Sequence, residues 1–78
     1  MAENRKTVIV DARYMSCPGP LIAASEAAKK AEPGQVIRLL ATDPAAPSDI
    51  GEWAREVGYK VLKVSEREGI YEIEVEIR

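Results

Sequence analysis

The last segment of the chain, Ile70–Ile77, alternates strictly between apolar and acidic side chains. The apolar series is Tyr71, Ile73, Val75 and Ile77, and the acidic series is Glu72, Glu74 and Glu76. Successive side chains of a β-strand point to opposite faces, so one face of this strand meets a core and the other meets water. The sheet that contains it can be covered on one side only, which restricts the fold to two layers.

Three further strands are predicted upstream of this one. The β-branched run Thr7–Asp11 predicts the first strand, and the more apolar run Gln35–Thr42 predicts a second strand flanked by neighbours. Tyr59–Ser65 predicts the third strand, and the short link Glu66–Gly69 joins it to the last strand as an antiparallel hairpin.

Two helices are predicted between these strands, because apolar side chains recur there at helical spacing. The first helix spans Leu21–Ala31 and is followed by Pro33-Gly34, a pair that ends helices. The second spans Pro47–Val57 and ends before Gly58. The predicted buried stripes are Leu21, Ala24, Ala28 and Ala31 in the first helix, and Ile50, Trp53, Ala54 and Val57 in the second.

The predicted order of elements is β-α-β-α-β-β. The first two strands are joined through a helix, so they are expected to be parallel with a right-handed crossover. Both helices must bury their stripes on one sheet face, because the glutamate row occupies the other. The predicted fold class is therefore α+β: a two-layer sandwich of a four-stranded mixed sheet and two helices, in a single domain over residues 1–78.

The chain has one cysteine, Cys17, and no histidine. The lack of histidine excludes Cys–His and Ser–His catalytic pairs and histidine-based metal sites. One cysteine cannot form an internal disulfide, a CxxC redox pair or a multi-thiolate zinc site. Any chemistry of Cys17 therefore involves another molecule, and no cofactor or metal is expected.

Charge and hydropathy predict the surroundings of the protein. The net charge is −2, with acidic and basic residues mixed, which argues against direct nucleic-acid binding. No apolar run approaches the ~20 residues that span a bilayer, so membrane insertion is not expected. Met1–Lys6 lacks the apolar core of a secretion signal, which favours a cytoplasmic location.

Cys17 begins the motif Cys17-Pro18-Gly19-Pro20, between the first strand and the first helix. Because proline suits the first helical turn, the motif predicts that Cys17 lies at the N-terminal end of that helix. The partial positive charge there stabilises a thiolate and lowers the thiol pKa, which favours attack on a sulfane sulfur or a disulfide. The alternative is a small buried apolar cysteine, which a loop of Ser, Pro and Gly accommodates poorly.

Two aspartates accompany this motif. Asp43 follows the second strand, so it is expected at the same sheet edge as Cys17, where functional groups of parallel sheets gather. A carboxylate near the thiol would raise its pKa, so Asp43 is expected to orient the loop or meet a partner. Alternatively, Asp43 only starts a turn and Asp49 only stabilises the positive start of the second helix.

The sequence resembles the TusA/SirA family of small sulfur-carrier proteins. The resemblance is carried by Cys17-Pro18-Gly19-Pro20, by Pro33-Gly34 before an apolar strand, and by the segment Thr42–Ile50 (TDPAAPSDI) with Trp53 and Gly58 after it. It spans nearly the whole chain from Val8 onward.

The resemblance implies a βαβαββ sandwich with strand order 1-2-4-3 and strand four antiparallel to the others. It implies that Cys17 accepts sulfur as a persulfide and passes it on, and it includes Asp43 and Asp49 in the family pattern without a settled role. The implied partners are a sulfur donor (a cysteine desulfurase, a rhodanese or thiosulfate) and an acceptor sulfurtransferase of the DsrE/TusD kind. The sequence does not fix the oligomeric state, and a monomer is the expectation for a shuttle. Carriers for tRNA thiolation have Glu and Arg where this chain has Gly19 and Ser25.

Two other functions are compatible with the sequence. One is a non-catalytic RNA- or protein-binding regulatory module that uses the open sheet face, although the glutamate row would repel phosphates. The other is a thiol oxidoreductase or peroxide sensor, which would need glutathione or a partner thiol because the chain has no second cysteine.

Overall fold

The computed structural model describes residues 7–16 and 18–78. Its strands and helices follow one another in the predicted order, β-α-β-α-β-β. The elements are β1 Thr7–Ala12, α1 Gly19–Lys30, β2 Val36–Ala41, α2 Ala46–Val57, β3 Lys60–Arg67 and β4 Ile70–Glu76. No helix of this described part is long and apolar enough to cross a membrane.

The strands form one mixed sheet in the order β1-β2-β4-β3, which confirms the predicted fold. β1 pairs parallel with β2, while β4 runs antiparallel to both β2 and β3. Val10 lies opposite Leu39, and Leu39 lies opposite Ile73, so apolar side chains align across three strands on one face. This aligned face is the floor on which both helices pack.

The core lies between this floor and the two helices. Its largest fully buried side chains are Ile37, Leu39, Ile50, Ile73 and Val75. Each such side chain contributes about 1.5–3 kcal/mol through its removal from water. α1 covers β1 and β2, and α2 covers β3 and β4, so all four strands share the core.

Helix α1 begins two residues earlier than predicted, at Gly19. Pro20 occupies its first turn, where the missing N–H removes no helical hydrogen bond. The buried side chains of α1 are Pro20, Ala24 and Ala28, one helical turn apart. Small alanine side chains let this helix lie close to the sheet.

Val57 does not belong to the buried stripe of α2, contrary to the prediction. It is 49% exposed, whereas Ala46, Ile50 and Ala54 are buried. The chain reverses after α2, and Tyr59 packs edge-on against the half-buried Trp53 with ring centroids 5.5 Å apart. Tyr59 packs against the buried core, whereas Val57, the last residue of α2, is exposed.

The opposite face of the sheet carries the predicted row of glutamates, and one arginine bridges two of them. Arg38 of β2 lies opposite Glu74, and its Nε contacts Glu72 Oε2 at 2.9 Å and Glu74 Oε2 at 3.1 Å. A partly exposed pair of this kind contributes about 0–1 kcal/mol.

Strands β3 and β4 form the predicted hairpin, with a shorter loop than expected. β3 continues to Arg67, which pairs with Ile70, so only Glu68 and Gly69 make the turn. Their φ angles are +53° and +83°, as a type I′ turn requires, and glycine suits the second position. Glu68 has a side chain and therefore adopts its left-handed conformation with strain. β3 also contains a bulge between Val61 and Lys63.

Replacing Glu68 by glycine is expected to stabilise the protein. The left-handed conformation costs about 1–2 kcal/mol for a residue with a side chain, and part of this gain is offset by the greater freedom of glycine in the unfolded chain. We expect Glu68→Gly to raise the free energy of unfolding by about 0.5–1 kcal/mol in denaturant titrations. A lower value than that of the wild type would contradict this account of the turn.

Candidate functional site

The carboxyl ends of β1 and β2 lie side by side, because Ala12 pairs with Ala41. The loops that follow these strands therefore meet at one edge of the sheet, as predicted. The backbone N–H of Tyr14 donates a hydrogen bond of 2.9 Å to Thr42 Oγ1. Between the loops lies an open recess of about 370 Å³, lined by Tyr14, Met15, Ser16, Thr42, Asp43 and Pro44.

Cys17 lies outside the described residues, so the exposure and pKa predicted for its thiol stay predictions. Its neighbours in the sequence, Ser16 and Pro18, are exposed. The N–H of Gly19 donates to the Ser16 carbonyl at 2.6 Å, and the N–H of Ile22 donates to the Pro18 carbonyl at 2.9 Å. Residues on both sides of Cys17 in the chain are thus joined to the start of α1.

The N-terminal end of α1 has a positive electrostatic character. Pro18 precedes the helix and has no side-chain oxygen that could cap it. The first turn of α1 carries no acidic side chain, so no side chain of the helix itself neutralises the partial positive charge at this end. An anionic sulfur placed beside this end would be stabilised.

Gly19 has a structural requirement that the sequence pattern did not indicate. A Cβ atom at this position would lie 2.8 Å from Met15 Cβ and 3.4 Å from Met15 Sδ. Real Cβ atoms do not approach so closely, and Met15 Cβ cannot move without its backbone. The absence of a side chain at Gly19 therefore allows the loop before Cys17 to pack on the start of α1.

The loop before Cys17 is also held by an ion pair that the sequence analysis missed. Arg13 Nε and Nη2 donate to the two carboxylate oxygens of Asp11, each at 2.9 Å, and the Arg13 backbone N–H donates to Oδ1 at 3.1 Å. These hydrogen bonds, with the guanidinium charge, lower the pKa of Asp11 to about 2. The sequence signal that could have indicated this pair is an Asp near the end of a strand with an Arg two residues later.

Asp43 shapes the loop that leads into α2. Its Oδ1 accepts a hydrogen bond of 3.0 Å from the Ala45 N–H, and its carbonyl accepts one of 2.9 Å from the Ala46 N–H. This geometry is that of an aspartate that starts a turn, and it also orients the loop, so both predicted roles agree with it. Asp49 lies in the first turn of α2, where its charge matches the helix dipole.

The structure brings the two predicted aspartates to the two prolines of the motif. Pro18, Pro20, Asp43 and Asp49 line one cleft between the starts of α1 and α2, with Leu21, Ala46 and Ile50 beneath. The cleft is too narrow to hold a water molecule, so it positions these residues and does not enclose a substrate. Among residues 7–16 and 18–78, no group of three or more acidic side chains is placed to hold a metal ion.

The chain is similar to known proteins over most of its length. The model of the family described as "Sulfurtransferase TusA" matches residues 8–77. A "Putative sulfur carrier protein" of Archaeoglobus fulgidus is 37% identical over 68 residues, covering 87% of this chain and 93% of that protein. The "Sulfur carrier protein TusA" of Allochromatium vinosum is 30% identical, covering 77% of this chain and 79% of that one.

A solved structure has the same fold. The crystal structure of the SirA-like protein of Desulfitobacterium hafniense matches with a TM-score of 0.77 and 26% sequence identity. The match covers 91% of this chain and 95% of the other. The likeness therefore extends over most of the sandwich.

The Asp11–Arg13 pair predicts a measurable titration. Because the pKa of Asp11 in the folded protein lies below its ordinary value of 3.8, the pair adds stability above that pH and loses it as the pH falls toward 2. We expect the Asp11 carboxyl to titrate near pH 2 by NMR, and Arg13→Gln to return its pKa toward 3.8. An ordinary pKa for Asp11 in the wild type would contradict the pairing.

The contact at Gly19 predicts a sign reversal between two glycine substitutions. Gly19→Ala is expected to lower the free energy of unfolding by about 1–3 kcal/mol, because its Cβ forces the Met15 backbone to move. Gly51→Ala is the matched control: it lies within α2 with open space around it, and is expected to add about 0.5–1 kcal/mol. Equal effects in denaturant unfolding would refute the close approach.

Proposed function

Since the chain belongs to the TusA family, whose curated members are named sulfur carrier proteins, we propose that it carries sulfane sulfur as a persulfide on Cys17. The observation that carries this proposal is the match of the family model to residues 8–77, in a chain whose only cysteine directly precedes Pro18 and the start of α1. The outer sulfur atom of this persulfide is then passed to an acceptor protein.

The proposed chemistry is two nucleophilic displacements at sulfur. The Cys17 thiolate attacks the outer sulfur of a donor persulfide, a new S–S bond forms, and the donor's S–S bond breaks to release its thiolate. In delivery, an acceptor thiolate attacks the outer sulfur of the Cys17 persulfide, and Cys17 leaves as a thiolate. No net oxidation occurs in either step, so no cofactor is required.

The start of α1 supports a low pKa for the Cys17 thiol. The N-terminal end of α1 favours an anion, and its first turn carries no carboxylate. The nearest carboxylate along the preceding strand, Asp11, is neutralised by Arg13. Asp43 and Asp49, which line the cleft with Pro18 and Pro20, act in the opposite direction, because a carboxylate near the thiol raises its pKa.

The proposed donors are a cysteine desulfurase, a rhodanese or thiosulfate, and the proposed acceptor is a sulfurtransferase of the DsrE/TusD kind. Thiosulfate would transfer its sulfane sulfur and release sulfite, whereas a thiosulfonate on Cys17 would also need a two-electron oxidant. A monomer in the reducing cytoplasm suits a shuttle, because its thiol stays free there.

The destinations open to such a carrier are tRNA thiolation, cofactor biosynthesis and sulfur metabolism. Gly19 and Ser25 lack the charges found at these positions in tRNA-thiolation carriers, which favours the other two. Direct RNA binding by the open sheet face is not favoured, because Glu72 and Glu74 lie there and would repel phosphates, and Arg38 is already paired with both of them.

Removal of the thiol tests the carrier function. The wild type is incubated with a cysteine desulfurase plus cysteine, and separately with thiosulfate, and its intact mass is measured before and after reduction. We expect a reducible gain of one sulfur atom in the wild type and none in Cys17→Ser, which should keep the folded circular dichroism spectrum. A sulfur adduct on Cys17→Ser, or none on the wild type, would refute the proposal.

A further inference from the structure

We propose that Tyr14 and Met15 form a docking surface on which a protein that donates persulfide sulfur seats itself beside Cys17, with Tyr14 as the anchor. The inference rests on the proposed carrier function and identifies the contact that a protein donor makes. The donor is expected to present an apolar pocket next to its own sulfur-bearing cysteine.

The first argument is the exposure of two large apolar side chains at the site. Tyr14 is 85% exposed and Met15 is 43% exposed, and both line the recess at the sheet edge. Tyrosine gives a large contact area for the loss of few rotatable bonds, and it is enriched among residues that dominate binding energy. Met15 adds an adaptable apolar neighbour.

The second argument is the backbone of Tyr14, whose φ is +66°. A bulky residue rarely adopts this left-handed conformation, and glycine would fold there with less strain. The exposed ring of Tyr14 does not repay this strain through burial. A large side chain that opposes stability is better explained by a contact with another molecule, since strained residues cluster at functional sites.

The third argument is that the surface is held in one position before a partner arrives. The Tyr14 N–H is bound to Thr42 Oγ1, the Met15 N–H donates to the Ala12 carbonyl at 3.4 Å, and Met15 packs on Gly19. Arg13, the residue before Tyr14, is fixed by Asp11. Preorganisation lowers the entropy lost on binding, which raises affinity without new contacts.

The fourth argument concerns the occupant. Sulfur passes between two proteins only when their sulfur atoms come within bonding distance, so a protein donor must cover the residues that flank Cys17. On the side of β1 these residues are Ser16, Met15 and Tyr14. The charge of Arg13 is balanced by Asp11, so Asp43 is the charged side chain in the lining of the recess. The pocket on the donor that matches this surface is therefore expected to be apolar, with basic residues at its rim. A small donor such as polysulfide needs no such surface.

The experiment compares loading of Cys17 by a protein donor and by a small donor. The protein probe is the cysteine desulfurase of the same organism with cysteine, and the small probe is inorganic polysulfide. Initial rates of persulfide formation are measured by intact mass, and the ratio of the desulfurase rate to the polysulfide rate is compared among variants. This ratio cancels any change in the reactivity of the thiol itself.

Tyr14→Gly separates function from folding, because glycine suits the left-handed conformation. We expect its melting temperature to equal or exceed that of the wild type, while the rate ratio falls by about tenfold or more. Glu68→Gly is the matched control: it relieves the same kind of backbone strain in the β3–β4 turn, which lies at the same end of the sheet but is separated from β1 by β2, and it should leave the ratio unchanged. Tyr14→Phe keeps the ring and should stay within about threefold of the wild type.

The outcomes distinguish this proposal from the carrier function. If both probes load the wild type and Tyr14→Gly leaves the ratio of the desulfurase rate to the polysulfide rate unchanged, the docking surface alone is overturned. Loading by polysulfide but not by the desulfurase would also overturn it, since a protein donor is the occupant proposed. A wild type that neither probe loads would overturn the carrier function and, with it, the docking surface.

Discussion

The parallel pairing of β1 with β2 is the constraint on which the rest of the structure depends. Parallel neighbours cannot be joined by a tight turn, so the chain must cross over through α1 and return to the start of the sheet. The pairing of Ala12 with Ala41 then places the loops after both strands at one edge. Everything that surrounds Cys17 in the chain follows from this arrangement, including the start of α1 and the meeting of Tyr14 with Thr42.

Most of the fold could be predicted from the sequence, because its signals are periodic. The alternation in β4 specifies which face is covered, and Ile73, Val75 and Ile77 are indeed buried. The strand order 1-2-4-3 followed from the family resemblance and not from periodicity, which carries no information on which strands are neighbours. The error at Val57 has a local cause. A helical stripe predicts which side of a helix faces the core, but at the end of α2 the residue that packs on the core is Tyr59 of the next segment.

The site was predictable only in outline. That two loops meet at one edge follows from topology, and the presence of Asp43 and Asp49 beside Pro18 and Pro20 agrees with it. The contact of Met15 with Gly19 and the left-handed conformation of Tyr14 were not foreseen. Both are properties of non-repeating backbone, where close approaches depend on tertiary contacts that no periodicity reports. The sequence shows that Gly19 stands where tRNA-thiolation carriers have Glu. The structure adds a steric reason for glycine here, because a Cβ at this position would lie 2.8 Å from Met15 Cβ.

The bulge in β3 has a consequence for self-association. The described sheet has two outer strands, and they differ: β3 is bulged and carries Lys60 and Lys63, while β1 is regular, with Ile9 60% exposed. Bulges and lysines on an outer strand discourage edge-to-edge pairing with another chain. Growth of a fibre by strand addition requires two receptive edges on each molecule. With only one, association of these chains through their sheets would end at a closed two-fold pair and would not continue into a fibre.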